Sequence, residues 1–289
     1  MFLFQKVIDR SALRQGFQIP VEYHPLLSML PNGIPVHGET RNIKIILDGK
    51  EYDAQLKNQG FDQSKYGGHA DVIQIRYGEN SKIANRLRQI FHSSWRYVEA
   101  VKAKPENVNR KFTIKIPQNQ QEFLAISCTD IPNVFVADCI SNSVQMETRT
   151  SLSAMDEVTY ETFEPREDGN ATIEEALALR KVRKLDRSIG DSLKKLYDYR
   201  CQMTGKRIGE AYDGLVVEAH HIIPFTESLN NNTSNIIIIS PDYHRIIHRT
   251  KPEWLPQEKA FRFPNGLIDK IKLNKHLKRS DHRIVFVKP

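Results

Sequence analysis

Residues 216–248 read VVEAHHIIPFTESLNNNTSNIIIISPDYHRIIH, and this one stretch holds four of the chain's ten histidines. Leu215, Val216, Val217, Glu218 and Ala219 form a strand-like run that ends in two adjacent histidines, His220 and His221. Successive side chains of a strand point to opposite faces, so one imidazole can bind a metal while the other faces a reactant. A loop of asparagine, threonine and serine from Asn230 to Asn235 follows, and then the apolar run Ile236–Ile239, read as a second short strand. Pro241 opens a helix carrying His244 and His248, four residues apart and therefore on one face. The expectation is strand, loop, strand and helix, closed around a metal ion.

These residues resemble the ββα-metal motif of HNH endonucleases, in the paired first histidine, the central asparagine and the histidine on the helix. The resemblance implies that His221 is the general base, with Asn235 orienting it and bracing the loop. It further implies that His220, His244 and His248 bind a single divalent cation, in the three-histidine version found in colicin-type nucleases. The lead-in Tyr199–Gly205, YRCQMTG, is similar to the CxxTG turn that precedes the first strand in many family members. The likeness covers roughly residues 187–250. Plainer roles stand beside these. His248 can serve the helix C-terminus, Asn230–Asn232 can be ordinary loop residues, and Glu218 can be an exposed strand carboxylate. Glu218 also shares a strand face with His220, which would let it pair with an imidazole of the site.

The chemistry agrees with the resemblance. Phosphodiester hydrolysis needs a base, and imidazole titrates near neutrality. It also needs positive charge for the developing phosphorane and the leaving oxygen, which a divalent cation supplies. Three imidazole ligands suit Zn²⁺, Ni²⁺ or Mn²⁺ better than Mg²⁺, and leave the choice among the four open.

Length and composition set the frame. A chain of 289 residues accommodates two ordinary domains, and 39% hydrophobic residues suffice for folded cores. A net charge of +7 favours a polyanionic partner. Cys128, Cys139 and Cys201 form neither a CxxC metal pair nor a disulfide framework, which points to a reducing cytoplasm. The apolar start MFLF is too short for a signal peptide, and no run approaches a membrane span.

Residues 1–150 read as a strand-rich domain in an α+β chain. Arg41–Leu47 and Glu51–Leu56 flank Asp48-Gly49, a strong hairpin signal. Asp71–Tyr77 alternates as a half-buried strand, and Ser81–His92 has the period of a helix. Arg110–Ile116 and Gln121–Ser127 read as further strands. Together with the hairpin spanning residues 38–58, this pattern resembles the DNA-binding pseudobarrel that serves as effector domain in some restriction enzymes and plant transcription factors. That likeness implies contacts to double-stranded DNA from Arg41, Lys57 and Arg76, with Asn58, Lys65, Tyr66, His69 and Arg88 as further candidates.

Residues 151–172 are acidic and lack apolar period, which is a linker composition. Residues 173–289 are assigned to the nuclease domain, opening with a helix that breaks near Gly190. Its Arg183, Lys184 and Arg187 are candidates for the DNA backbone. Cys201 is expected to bury as a small apolar residue. Asn265-Gly266 reads as a turn, and the basic tail beyond it as a DNA-facing addition. The combined expectation is a metal-dependent DNA endonuclease of restriction type, sequence- or modification-specific, acting as a homodimer without a membrane. The other classes are a ligand-activated defence nuclease and a non-catalytic DNA-binding protein with a decayed HNH fold.

Overall fold

A computed structural model describes residues 1–61, 70–108, 112–117, 120–152, 156–162, 173–228 and 230–277. The fold is mixed α and β. It divides into two compact units, one of residues 1–155 and 164–188, the other of residues 156–163 and 189–289.

The first unit contains β1 (Phe2–Val7), β2 (Gly16–Gln18), α1 (His24–Leu27), β3 (Thr40–Leu47), β4 (Lys50–Asn58) and β5 (Ile73–Arg76). These are followed by α2 (Lys82–Ile90), α3 (His92–Lys102), β6 (Phe123–Cys128), β7 (Val134–Ile140) and α4 (Asn142–Leu152). The strands form one sheet in the order β1-β6-β7-β3-β4-β5-β2, curled into a half-barrel. All its pairings are antiparallel except the parallel β3–β7 pair.

Alternation explains the curl's inner face. Ile43, Ile45 and Leu47 of β3 are buried beside Ala54 and Leu56 of β4 and Ile73 and Ile75 of β5. Asp48 and Gly49 both have positive φ, 50° and 73°, the turn conformation that matches strand twist and that Asp-Gly tolerates. Ser81 caps α2, its side chain accepting a hydrogen bond from the Ala84 amide.

Three expectations for this half need correction. The helix α3 was not anticipated. Residues 112–117 carry no strand; Ile114 and Ile116 instead bury against Val98 of α3. The acidic stretch 151–172 is not wholly linker, because α4 runs into it and Glu157–Thr162 forms a helix, α5, of the second unit. Asp156 supplies the start signal, accepting from the Thr159 amide at 2.7 Å.

The helix α6 (Ile173–Leu196) is continuous through Gly190, where a break had been expected. A Cβ at Gly190 would lie 2.9 Å from the Ala219 Cβ, so the glycine permits close approach of the helix to the strand that carries the paired histidines. The second unit continues with β8 (Glu218–His221), α7 (Phe225–Ser228), β9 (Ile236–Ile239) and α8 (Pro241–Thr250). It ends in a small antiparallel sheet of β10 (Glu253–Leu255), β11 (Ala260–Arg262) and β12 (Ile268–Lys270), which the sequence reading did not separate from the tail. Asn265 and Gly266 do form the turn between β11 and β12, with Gly266 at φ 85°.

Strand β9 is fully buried, and Ile237 and Ile239 pack with Cys201, Met203, Ile247, Phe261, Phe263 and Leu277. Cys201 thus takes the small apolar role foreseen for it. Gln202 satisfies the edge of β9 that β8 leaves open. Its amide donates to Ile238 O and its Oε1 accepts from Ile238 N, both at 2.7 Å. No helix among the described residues is long and apolar enough to cross a membrane.

Candidate metal centre and catalytic face

Strands β8 and β9 pair antiparallel, with Glu218 opposite Ile239, His220 opposite Ile237 and His221 opposite Ile236. This register holds the two adjacent histidines on opposite faces of a short, rigid ribbon. Both are buried, His220 at 4% exposure and His221 at 5%. Helix α8 follows β9 through Ser240 and brings His244 and His248 to the His220 face.

On that face three rings meet edge to face. Ring centroids lie 5.0 Å apart for His220–His244, 4.9 Å for His220–His248 and 4.5 Å for His244–His248. One nitrogen of each lies within 4.8 Å of the others, so the cluster could hold a metal ion. The Nε2 atoms of His244 and His248 are 3.2 Å apart. Two imidazole nitrogens bound at ~2.0–2.1 Å to one tetrahedral ion would be ~3.3–3.4 Å apart, so the donor set fits a metal. Glu218 adds the outer partner such sites require. Its Oε2 lies 2.7 Å from His244 Nδ1, which fixes the proton there and leaves the Nε2 lone pair toward the cluster. Glu218 therefore serves a ligand of the cluster, within the pairing its strand face had allowed.

The opposite face is built differently. His221 Nδ1 lies 3.1 Å from Glu157 Oε1, and His221 Nε2 lies 3.2 Å from Asn231 Oδ1. An oxygen at each ring nitrogen suits the doubly protonated ring, and a half-turn of the Asn231 amide offers an N–H to the neutral one. The Glu157 carboxylate also accepts from the Phe225 and Thr226 amides, each at 2.9 Å, and from the Thr226 hydroxyl at 3.0 Å. Burial pushes the Glu157 carboxyl up, but His221 and these amides outweigh it, so the net shift is downward and the group stays ionised. Tyr160, one turn along α5, stacks on Phe225 at 4.9 Å, and Phe225 leans on the His221 ring at 5.6 Å.

Asn235 does not touch His221 in the way the resemblance implied. Its Oδ1 accepts from the Ile223 amide, and its Nδ2 donates to Ile223 O and Asn230 O. It braces the loop, and a direct contact to His221 falls to Asn231, which had been read as an ordinary loop residue. A further unforeseen anchor is His276. It is buried, with Nδ1 2.6 Å from the Tyr197 hydroxyl and Nε2 close to Thr233 O and Ile236 O. Two carbonyls at Nε2 require a proton there, so Nδ1 accepts from the tyrosine. Burial lowers its pKa to about 4, against carbonyl contacts that raise it. Part of the tail read as DNA-facing is thus a structural clamp, and residues 278–289, where the sequence Ile284–Val287 is strand-like, lie outside the described residues.

The candidate DNA contacts separate into two groups. Arg41 is committed within the fold: its guanidinium pairs with Glu39 and donates to Asn32 O and Gly33 O. Arg183 is also committed, because it is buried at 6% exposure and donates to Asp186 at 2.9 Å. Asn58 is buried and donates to Pro35 O, while Arg88 holds Glu79 O and Asn85. A basic or amide side chain looks alike in sequence whether it serves a loop or a ligand. Lys57 and Arg76 remain on the half-exposed outer faces of β4 and β5, and Lys184 and Arg187 on an exposed face of α6. Lys65, Tyr66 and His69 lie outside the described residues.

Comparison of the chain with protein-family models, with curated proteins and with solved structures finds no match.

Proposed function

We propose that the chain is a metal-dependent DNA endonuclease of the HNH kind, with His221 as general base and His220, His244 and His248 as ligands of one divalent cation. The observation that carries this reading is the division of labour across β8. Three imidazoles converge on one face at metal-binding spacing, while the adjacent imidazole on the other face is held by Glu157 and Asn231. A lone structural histidine needs neither arrangement. When bound, a divalent cation would supply positive charge to the phosphodiester and its departing oxygen. The chain's own residues do the remainder. Glu218 orients His244, Asn235 holds the loop, and His221 accepts the proton of the attacking water. An all-nitrogen donor set favours Zn²⁺, Ni²⁺ or Mn²⁺ over Mg²⁺.

In this reading the half-barrel unit chooses the site on double-stranded DNA, through Lys57 and Arg76 on its outer face, and Lys184 and Arg187 hold the phosphate backbone. One such centre cuts one strand, so cutting of both strands calls for a homodimer. The test is cleavage of methylated and unmethylated plasmid with Mg²⁺, Mn²⁺, Ni²⁺ or Zn²⁺, with His221→Ala as control. Discrete fragments that vanish in the variant establish a site-specific nuclease, and the methylated lane separates restriction from modification-dependent cutting. Absence of cleavage by the wild-type chain under every metal sinks the reading.

A further inference from the structure

We infer that Glu157, a residue far outside the histidine-bearing stretch, is the positioning residue for His221, resting on the proposal that His221 is the base. The argument is one of proton placement. A neutral imidazole carries one proton, and a general base needs its lone pair on the nitrogen that meets water. The Glu157 carboxylate, ionised and 3.1 Å from Nδ1, attracts the proton to that atom and leaves the lone pair on Nε2. Phe225 lies against the ring, and the Asn231 amide now stands at Nε2, the place the attacking water must take from it. Glu157 is itself immobilised. It is 9% exposed, it accepts three hydrogen bonds from Phe225 and Thr226, and Tyr160 on the same helix stacks on Phe225. Helix α5 is in this sense part of the catalytic face, although 63 residues of chain separate Glu157 from His221 in sequence.

A purely structural role competes with this one, because Glu157 also caps the amides that open α7. The Glu157→Gln variant separates them. Two of the three capping bonds come from Thr226 to one carboxylate oxygen, and the glutamine oxygen takes that place. Its NH₂ then faces His221 Nδ1 and donates to it, which forces the proton onto Nε2, the wrong atom for a base. Thr226→Val is the control, since it weakens the cap and leaves the His221 contact intact.

The decisive experiment measures plasmid cleavage, Zn²⁺ and Ni²⁺ affinity by calorimetry, and the ¹⁵N signals of the His221 ring, all on the full chain. The wild-type ring is expected to carry its proton on Nδ1, and E157Q to carry it on Nε2. In E157Q, kcat is expected to fall on the order of 10²-fold or more, with KM, metal affinity and melting temperature within about twofold or a few degrees of wild type. T226V should keep its kcat. Equal loss of kcat in T226V and E157Q would assign Glu157 to capping alone and overturn the inference. So would an E157Q protein with full or raised activity, the latter marking α5 as an inhibitory cover. If H221A cuts as well as wild type, the base assignment has failed instead. The ring signals still decide whether Glu157 sets the tautomer.

Discussion

The two sides of strand β8 hold neighbouring histidines by different means. On the His220 side, Glu218 is supplied by the same strand and His244 and His248 by helix α8, all within residues 218–248. On the His221 side, the partners include Asn231 in the intervening loop and Glu157, from a helix that precedes the motif by some sixty residues. The His220 side is a local construction whose geometry follows from strand alternation and helical period. The His221 side is a tertiary construction that exists only once α5 has docked. A local site can be exchanged for one ligand at a time, whereas a tertiary one fails whenever its docking fails.

The comparison is broken most severely by removing one histidine from each side. His221→Ala is expected to lower cleavage ~10³-fold, within the range for loss of a general base, while metal affinity stays near wild type. His244→Ala is expected to abolish both. Calorimetric titration of Zn²⁺ or Ni²⁺ alongside plasmid cleavage checks the pair. Equal loss of metal binding in both variants would show that the two faces are one cluster, and the division of labour would not stand.

What could be read in advance follows the same line between local and tertiary. The Asp48-Gly49 hairpin, the amphipathic helix after Ser81 and the burial of Cys201 each express a short-range rule, and each is present. The spacing of His220, His244 and His248 likewise needed only strand and helix geometry. Glu157 was hidden because six acidic residues within residues 156–168 mask the Asp156 cap and the Glu157–Tyr160 spacing that begin a helix. Gly190 was read as a breaker, because sequence does not reveal that Ala219 lies against it. Arg41 and Arg183 were read as ligands for phosphate because charge is visible in sequence and its internal partner is not. Burial, which decides between those two fates, is a property of the assembled fold.

Acid should act unequally on the two sides. In the folded chain His276 stays neutral down to about pH 4, whereas in the unfolded chain it takes a proton near 6.5. The unfolded chain therefore binds more protons between these values, so the contribution is complete above pH 6.5 and is lost as pH falls toward 4. Its size is on the order of 3 kcal/mol. Because His276 clamps Thr233 O and Ile236 O, at the end of the loop that also carries Asn231, the loss falls first on the His221 side. Urea unfolding of wild type and His276→Gln at pH 7 and pH 4.5 measures it. The variant should be less stable at pH 7 and show a shallower decline with acid; parallel declines would remove His276 as the source.

A milder change sharpens the metal side alone. Glu218 is partly exposed, so Glu218→Gln should leave the fold intact, but it weakens the proton placement that points His244 Nε2 at the cluster. Metal affinity is expected to drop about 10- to 100-fold, the usual consequence of losing an outer partner of a ligating histidine. Cleavage should recover when metal is added in excess, since His221 and its partners are untouched. Failure to recover at saturating metal would place Glu218 in the chemistry and not in ligand orientation.

The smallest effect lies outside both sides, at the exposed cations of α6. Lys184→Ala is expected to raise KM for plasmid only a few-fold, with kcat unchanged, and to reduce the slope of log affinity against log salt by ~0.9, the share of one phosphate contact. Arg183, one residue earlier but buried on Asp186, should behave in the opposite way. Arg183→Ala leaves Asp186 without the guanidinium it accepts from, so the variant loses stability while its salt slope stays the same. Salt-dependent binding to a single duplex, paired with thermal melts, distinguishes the two. The contrast carries the lesson of β8 onto a helix, where adjacent residues of like charge are assigned different work by which way they face.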